Sequence, residues 1–169
     1  EITPSTLEQA LKEPNLNLYT ARLPRLSLIL FNLNDPELPF LQDATLRQAL
    51  LYGLNHQGII DRILGGQAIP AYGPIFPDTW AYYENIPQTP YDPERAINIL
   101  KIEGYNPTAS DNTLRGKEGE PALEFELIHP EEAPYPQIAA AIQEDWAKLG
   151  VRISLTALPY ADLVTERLV

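Results

Sequence analysis

The chain has 169 residues, of which 44% are hydrophobic, and its formal net charge is −11. This length and composition predict one well-packed domain and exclude an intrinsically disordered chain. The negative charge repels phosphate backbones, so nucleic acid is not an expected partner. Because the chain has no cysteine, it has no disulfide framework, no thiol nucleophile and no cysteine-based zinc site.

The chain also lacks methionine. Its start has neither the basic region nor the apolar region of a targeting segment. Both features predict a processed piece or an excised domain of a longer protein. No apolar run approaches the roughly 20 residues that a membrane-spanning helix requires.

The first third of the chain predicts a helix followed by two strands. Residues 5–8, Ser-Thr-Leu-Glu, form a capping box, which predicts a short helix that ends near Pro14. The segments Leu16–Leu23 and Leu26–Leu33 are apolar and of strand length. They predict two strands on either side of a Pro-Arg pair.

Two consecutive helices are predicted next. Asp43 is a good N-cap for the first helix and Asn55 for the second. The pair Gly65-Gly66 ends the second helix, because glycine adopts the left-handed conformation at little cost. The apolar spacing of a single helix face predicts the buried residues, which are Leu46, Ala49, Leu50, Gly53 and Leu54 in the first helix and Ile59, Ile60, Ile63 and Leu64 in the second.

A long loop follows over Gln67–Tyr91, where no helical or strand period occurs and several prolines stand. A loop of this length in a compact domain is either functional or packed as a cover over the core. Aromatic side chains on a stiff loop offer contact area at low entropic cost, which suits a ligand or partner surface. The alternative is that each ring folds back onto the core. The rings concerned are Tyr72, Phe76, Trp80, Tyr82 and Tyr83.

The second half of the chain predicts a strand–helix–strand unit. The predicted elements are a helix from Asp92 to Gly104, a polar hairpin over Asn106–Pro121, a strand over Leu123–Leu127, a helix from Pro136 to Gly150, a strand over Val151–Ala157 and a last helix from about Pro159. Strand, helix and strand of this size form a βαβ unit with a right-handed crossover. The predicted class is therefore α/β or α+β, in one domain.

No constellation of catalytic or metal-ligating residues is evident. His56 and His129 are the only histidines, and they lack the convergent partners of a zinc site. Glu131 and Glu132 are neighbours on an extended loop, so their side chains point apart, which favours a solvated loop over an acid–base pair. The segment Asp111–Glu120 lacks the alternating oxygen ligands of a calcium loop, and the serines lack a nucleophile-elbow context. We therefore predict no enzyme, no metal and no cofactor.

Several motifs together resemble the family 5 extracellular solute-binding proteins, the oligopeptide- and dipeptide-binding components of ABC importers. The resemblance covers essentially the whole chain in the same order. The motifs that carry it are Phe31-Asn32, Asp-Ala-Thr-Leu-Arg-Gln-Ala-Leu at 43–50, Ile-Ile-Asp-Arg at 59–62, Gly-Gly-Gln-Ala at 65–68, Ala-Tyr-Gly-Pro at 71–74, Tyr-Asp-Pro-Glu-Arg-Ala at 91–96, Glu-Gly-Tyr at 103–105, Leu-Glu-Phe-Glu-Leu at 123–127 and the segments at 137–143 and 149–151.

The resemblance implies a lobe like those of type II periplasmic binding proteins, with a mixed sheet and flanking helices. In that family, two lobes close on a ligand by a hinge motion. Residues 1–169 would form most of the second lobe, and a further ligand-contacting motif of the family would follow Val169. The implied partners are a small solute, peptide above all, the first lobe of the same protein and a membrane permease. The implied location is periplasmic or extracellular, with a lipid anchor as an option in the full-length protein.

Two positions within the matched motifs carry specific expectations. The pair Asn55-His56 stands where the family commonly has Asp-Arg, but Asn still caps a helix, so the fold should survive. Arg47 lies one residue after the buried Leu46 and off the main apolar stripe. We expect its side chain to reach a neighbouring loop or carboxylate in a structural role.

We predict that Tyr72, Gly73 and Pro74 lie nearest the ligand. The prolines of this loop stiffen it, and Gly73 allows close approach of another backbone or of a ligand. The runner-up function is a ligand-sensing domain of the same fold in a transcriptional regulator. An enzyme is a distant third, and the class of ligand is left open among peptides, sugars, metal chelates and other solutes.

Overall fold

The computed structural model describes residues 4–17, 19, 23–108, 112–115 and 122–167. The helices are α1 (Pro4–Ala10), α2 (Ala44–Tyr52), α3 (His56–Ile63), α4 (Pro93–Ile102), α5 (Tyr135–Ala147) and α6 (Tyr160–Arg167), and a 3-10 helix over Pro39–Gln42 precedes α2. The strands are β1 (Asn106–Pro107), β2 (Leu114–Arg115), β3 (Glu124–Pro130) and β4 (Arg152–Leu158). Within the described ranges, no helix is long and apolar enough to cross a membrane.

The strands form two separate pairs in the described part of the chain. β3 and β4 are parallel, and Phe125 lies opposite Ile153 in their register. Helix α5 connects them and packs against both strands, so the predicted βαβ unit is confirmed. β1 and β2 pair antiparallel at the base of the predicted hairpin. Helices combined with a parallel strand pair confirm the α/β class.

The three predicted helix caps are confirmed by hydrogen bonds. The carboxylate of Asp43 accepts from the backbone N–H of Thr45 at 2.8 Å. Asn55 Oδ1 accepts from Gly58 N at 2.8 Å, so this cap survives at the position where the resemblance leads one to expect Asp. Asp92 Oδ1 accepts from the backbone N–H of Arg95 at 2.9 Å. Each bond satisfies a donor that the first helical turn would otherwise leave unpaired.

Aromatic side chains organise the core. Trp146 of α5 is 2% exposed and stacks on Phe31, with 6.3 Å between ring centroids. Its other neighbour is Phe125 of β3 at 6.0 Å, and Phe125 in turn lies 6.1 Å from Phe40. The indole Nε1 of Trp146 donates to the carbonyl oxygen of Leu50 at 3.0 Å, which joins α5 to α2 and satisfies the buried polar atom.

The apolar faces of α2 and α3 agree with the predicted pattern, except that two of the predicted residues are less buried than expected. Leu46, Ala49 and Leu50 of α2 are buried, as are Ile59 and Ile60 of α3. The last two residues of the predicted α3 face, Ile63 and Leu64, are only half-buried, because they lie where the helix ends.

The prediction of two strands in the first third of the chain is wrong. The described residues of Leu16–Leu23 form no strand, and residues 18 and 20–22 lie outside the described ranges. The segment Leu26–Leu33 is not assigned as a strand, because no other described segment pairs with it. Side-chain alternation remains over residues 28–31, since Ile29 and Phe31 pack against the core while Leu28 and Leu30 are exposed.

Some predictions fall on residues or side chains that the structure does not describe. These are the side chains of the capping box at Ser5 and Glu8, the turn residues Gly116 and Gly119 and most of the segment Asp111–Glu120. Helix α1 itself is confirmed, although it ends at Ala10 rather than near Pro14.

The packing of α2 against the end of α5 generates a prediction at Gly53. A Cβ atom added there would overlap Leu149 Cδ1 and would lie 3.0 Å from Leu149 Cγ. Because Leu149 is 3% exposed, its whole side chain would have to shift. We expect Gly53→Ala to lower the free energy of unfolding by about 1–3 kcal/mol.

Chemical denaturation measures this change, and Gly73→Ala is the matched control. The nearest atom to a Cβ at Gly73 is Ile86 Cδ1 at 3.6 Å, an ordinary contact. Equal stability of the two variants would contradict the close approach of α2 to Leu149.

Candidate functional site

The long loop begins at a sharply terminated helix. Gly65 and Gly66 have φ angles of 59° and 74°, the left-handed conformation that glycine adopts readily. The backbone N–H of Gly66 donates to Ile60 O at 3.0 Å and closes the end of α3. No helix or strand occurs between residues 67 and 91, all of which are described. The predicted loop and its glycine start are therefore confirmed.

The far end of the loop is fixed to α2. The backbone N–H of Asp92 donates to the carbonyl oxygen of Tyr52 at 2.8 Å. The Arg95 guanidinium carbon lies 4.4 Å above the centroid of the Tyr52 ring, which adds a cation–π contact at the same place. Both ends of the loop are thus tied to the helical core, α3 at one end and α2 at the other.

The middle of the loop is held by a turn. Thr79 Oγ1 donates to Phe76 O at 2.7 Å, and the backbone N–H of Tyr82 donates to Thr79 O at 3.1 Å. Asp78 within this turn has a φ angle of 66°, an uncommon conformation for a residue other than glycine. The turn therefore gives residues 76–82 a defined shape outside any helix or strand.

The five loop aromatics divide into two groups. Trp80 is 99% exposed, Tyr83 is 63% exposed and Tyr72 is 38% exposed. Phe76 and Tyr82 are half-buried. Phe76 and Tyr82 are thus partly covered, whereas Trp80, Tyr83 and Tyr72 present aromatic surface to solvent.

The predicted site residues lie together at the surface of this loop. Tyr72 and Pro74 are exposed, and Gly73 between them is half-buried. An added Cβ at Gly73 would point toward Ile86 of the same loop, at 3.6 Å from Cδ1. The loop therefore folds over its own residue 86 at the point where the three residues stand.

The sequence did not predict an open groove that lies between α2 and Thr89, near the C-terminal end of the loop. The groove has a volume of about 460 Å³ and is open to solvent. Its lining contains none of the three predicted site residues and consists of Ala44, Thr45, Arg47, Gln48, Leu51 and Thr89. The one sequence signal that pointed toward it is Arg47, which stands off the buried stripe of α2.

Arg47 has the structural contact that its position predicted. Its Nη1 donates to the carbonyl oxygen of Leu41 at 2.7 Å, and the side chain is half-buried. Leu41 is in the 3-10 helix, so this charge-assisted bond fixes the 3-10 helix to α2.

A buried carboxylate joins α5 to the start of α3. Asp145 is 1% exposed and accepts hydrogen bonds from the backbone N–H of Asn55 at 2.9 Å and from Lys148 Nζ at 2.6 Å. The bond to Asp145 raises the pKa of Lys148. Burial lowers the pKa of His56, the residue after Asn55, which favours its neutral form. These groups support the scaffold on which the loop begins.

The described residues contain no cluster of three His, Asp or Glu side chains that could hold a metal ion. The described side chains offer no arrangement of a nucleophile with an attached base.

Comparison with known proteins identifies the family. The family description "Bacterial extracellular solute-binding proteins, family 5 Middle" matches residues 1–168, and the chain belongs to this family. The chain is 29% identical over 165 residues to di/tripeptide-binding protein 1 of Pseudomonas aeruginosa. That match covers 95% of this chain and 28% of the relative, so the chain spans little more than a quarter of the relative's length.

Solved structures agree with this assignment. The oligopeptide-binding protein AppA of Bacillus subtilis, in complex with a nonapeptide, matches with a TM-score of 0.68 and 28% identity over 73% of this chain and 25% of AppA. NikZ of Campylobacter jejuni, in complex with Ni(L-His), matches with a TM-score of 0.69 and 28% identity over 80% of this chain and 27% of NikZ. The fold is therefore that of a lobe of this class of binding protein.

The contact between Arg47 and Leu41 generates a prediction. Replacement by alanine removes the donor and leaves a partly buried carbonyl oxygen without its partner. We expect Arg47→Ala to lower the free energy of unfolding by about 1–3 kcal/mol.

Arg62→Ala is the matched control, because Arg62 Nε also donates to a backbone carbonyl, that of Gly58 at 3.1 Å, but from an exposed side chain. This control should change stability by no more than about 0.5 kcal/mol. Denaturation curves measure the free energy of unfolding of both variants. An Arg47→Ala variant as stable as Arg62→Ala would show that Arg47 is merely solvated.

Proposed function

We propose that the full-length protein is the solute-binding component of an ABC importer and that this chain forms most of its second lobe. The family match over residues 1–168 carries this proposal. The short span relative to di/tripeptide-binding protein 1 supports the assignment to one lobe. The first lobe of the same protein and a membrane permease are the proposed partners.

The proposed ligand is a small solute, with di- and oligopeptides as the first candidates. Peptides appear in the names of the Pseudomonas aeruginosa relative and of the AppA complex, whereas NikZ holds a nickel–histidine complex. One scaffold in this family therefore serves chemically different solutes, and side chains at the cleft select among them. The protein acts outside the cytoplasm, and a lipid anchor would hold it at the membrane surface.

Binding without catalysis is the proposed activity. The matched relatives are named as binding proteins, and the described residues show no catalytic arrangement. A sensing domain in a transcriptional regulator, the alternative kept open by the sequence, receives no support from these relatives.

We assign the solute-facing surface to Tyr72, Gly73 and Pro74. Two features support this assignment. The loop is tied to α3 by Gly66 and to α2 through Asp92, so it can hold a shape without periodic packing. The ring of Tyr72 is 38% exposed, and an aromatic ring at such a position can stack on a solute at low entropic cost.

The test uses the full-length protein and two single-ring deletions. Because Tyr72 is partly exposed, Tyr72→Ala should leave the melting temperature nearly unchanged while weakening peptide binding by about tenfold or more, which corresponds to at least about 1.4 kcal/mol. Tyr83→Ala removes a ring of the same kind from the same loop outside the assigned site, and it should bind as the wild type does. Isothermal titration calorimetry with a di- and tripeptide set measures the affinity.

Gly73→Trp provides a second variant. Bulk at this position should weaken binding or closure while the lobe remains folded. Normal affinity together with a lowered melting temperature would show that the loop packs over the core of this chain. That result would contradict the assignment of Tyr72, Gly73 and Pro74 to the solute-facing surface. Wild-type full-length protein that binds no peptide, metal chelate or sugar would overturn the proposed function itself.

A further inference from the structure

The groove beside α2 carries a single positive charge in an otherwise acidic protein. Its volume of about 460 Å³ falls within the range of about 300–1,000 Å³ that is usual for small-molecule sites. The two segments that contribute to it, residues 44–52 and 85–91, contain one charged side chain, that of Arg47. The whole chain has 23 acidic and 12 basic residues, so the charge of this groove is opposite to that of the protein.

Two hydrogen bonds fix the walls of the groove. Near the start of α2, Arg47 Nη1 donates to the carbonyl oxygen of Leu41 at 2.7 Å. At the end of α2, the backbone N–H of Asp92, three residues after Thr89, donates to the carbonyl oxygen of Tyr52 at 2.8 Å. The groove therefore keeps its shape without a ligand, which lowers the entropic cost of binding one.

The guanidinium of Arg47 has donors left for a ligand. It carries five N–H donors, and one of them is used in the bond to Leu41. Among the described residues, no Asp or Glu side chain forms an ion pair with it. The carboxylate of Asp43 is occupied elsewhere, because it accepts hydrogen bonds from the backbone N–H of Thr45 and from the hydroxyl of Tyr105. Since Asp43 also caps α2, the groove does not depend on a free helix N-terminus.

We propose that this groove binds the carboxylate of a small organic molecule about the size of an amino acid. A guanidinium and a carboxylate match in shape and form two parallel N–H···O bonds. A single cation balances the single charge of a carboxylate, whereas a doubly charged phosphate would be left partly uncompensated. The side chains of Thr45 and Gln48 add hydrogen-bond donors, and Leu51, which is 41% exposed, offers apolar contact to the rest of the ligand.

This site is additional to the solute-facing surface assigned above. None of the residues Tyr72, Gly73 and Pro74 lines the groove, and the groove lies wholly within this chain. The inference therefore does not depend on the proposed function.

Nuclear magnetic resonance of the full-length protein tests the site, with N-acetylglycine as the probe and N-acetylglycinamide as its neutral counterpart. The groove is open and buries less of a ligand than an enclosed pocket does, so a method that detects weak binding is required. We expect N-acetylglycine to shift the backbone amide signals of Thr45, Gln48 and Thr89 in a saturable way, and the neutral amide to leave them unchanged. The absence of a saturable shift, or equal shifts with both probes, would overturn the proposal.

A matched pair of charge variants locates the binding. Gln48→Glu and Gln67→Glu each add one negative charge at an exposed side chain, but only Gln48 lines the groove. Gln48→Glu should weaken N-acetylglycine binding by at least about threefold, because like charges a few ångströms apart repel each other even in water. Gln67→Glu should bind the probe as the wild type does, and equal affinities of the two variants would contradict binding in the groove.

Tyr72→Ala separates this site from the solute-facing surface. The shifts that N-acetylglycine causes at Thr45, Gln48 and Thr89 should persist in this variant. Their loss would assign the carboxylate to the surface around Tyr72, which would overturn the groove as a separate site and leave the proposed function unaffected.

Discussion

Burial of Trp146 is the interaction on which the rest of the lobe depends. Its ring lies between Phe31 and Phe125, and its indole N–H reaches the carbonyl oxygen of Leu50. One side chain thus joins the βαβ unit, helix α2 and the segment that contains Phe31. A large aromatic ring at such a junction contributes several kcal/mol, since truncation of a buried Trp typically costs about 3–5 kcal/mol.

The position of the long loop follows from this junction. Helix α2 is held by Trp146, and the carbonyl oxygen of Tyr52 at its end receives the backbone N–H of Asp92. Helix α3 is held by Asp145, which accepts from the backbone N–H of Asn55. The two ends of the loop are therefore placed by two residues of α5, and the exposed rings between them sit on a scaffold that α5 fixes.

Local features of this lobe could be predicted from sequence, and so could the pairing of β3 with β4 across one helix, whereas contacts between more distant segments could not. The caps at Asp43, Asn55 and Asp92 depend on residues within one helical turn, so the sequence pattern was sufficient. The strand predicted over Leu26–Leu33 is absent, because a strand requires a pairing partner and no described segment supplies one. Side-chain alternation carries no information on pairing, and it therefore could not decide whether this segment forms a strand.

The same distinction holds for the candidate site: its local features could be predicted from the sequence, and its long-range contacts could not. The loop and its glycine boundary followed from the prolines and from Gly65-Gly66, which act locally. The groove beside Arg47 is formed by residues of α2 together with Thr89, which lies 38 to 45 positions further along the chain, and no periodic sequence pattern predicts such a contact. The hydrogen bond between Trp146 and Leu50 could not be predicted either, because these residues are 96 positions apart and no local pattern connects them.

The central claim is that this chain supplies one side of a cleft and that the remainder of the protein supplies the other. An enclosed site typically buries about 70–90% of its ligand, which a single open surface does not achieve. Titration calorimetry of one solute, first identified by mass spectrometry on the full-length protein, tests the claim when it is carried out in parallel on the full-length protein and on the folded 169-residue chain. We expect saturable binding by the full-length protein and no measurable binding by the chain alone. Equal affinity of the two would contradict it, because the chain would then be a complete binding domain.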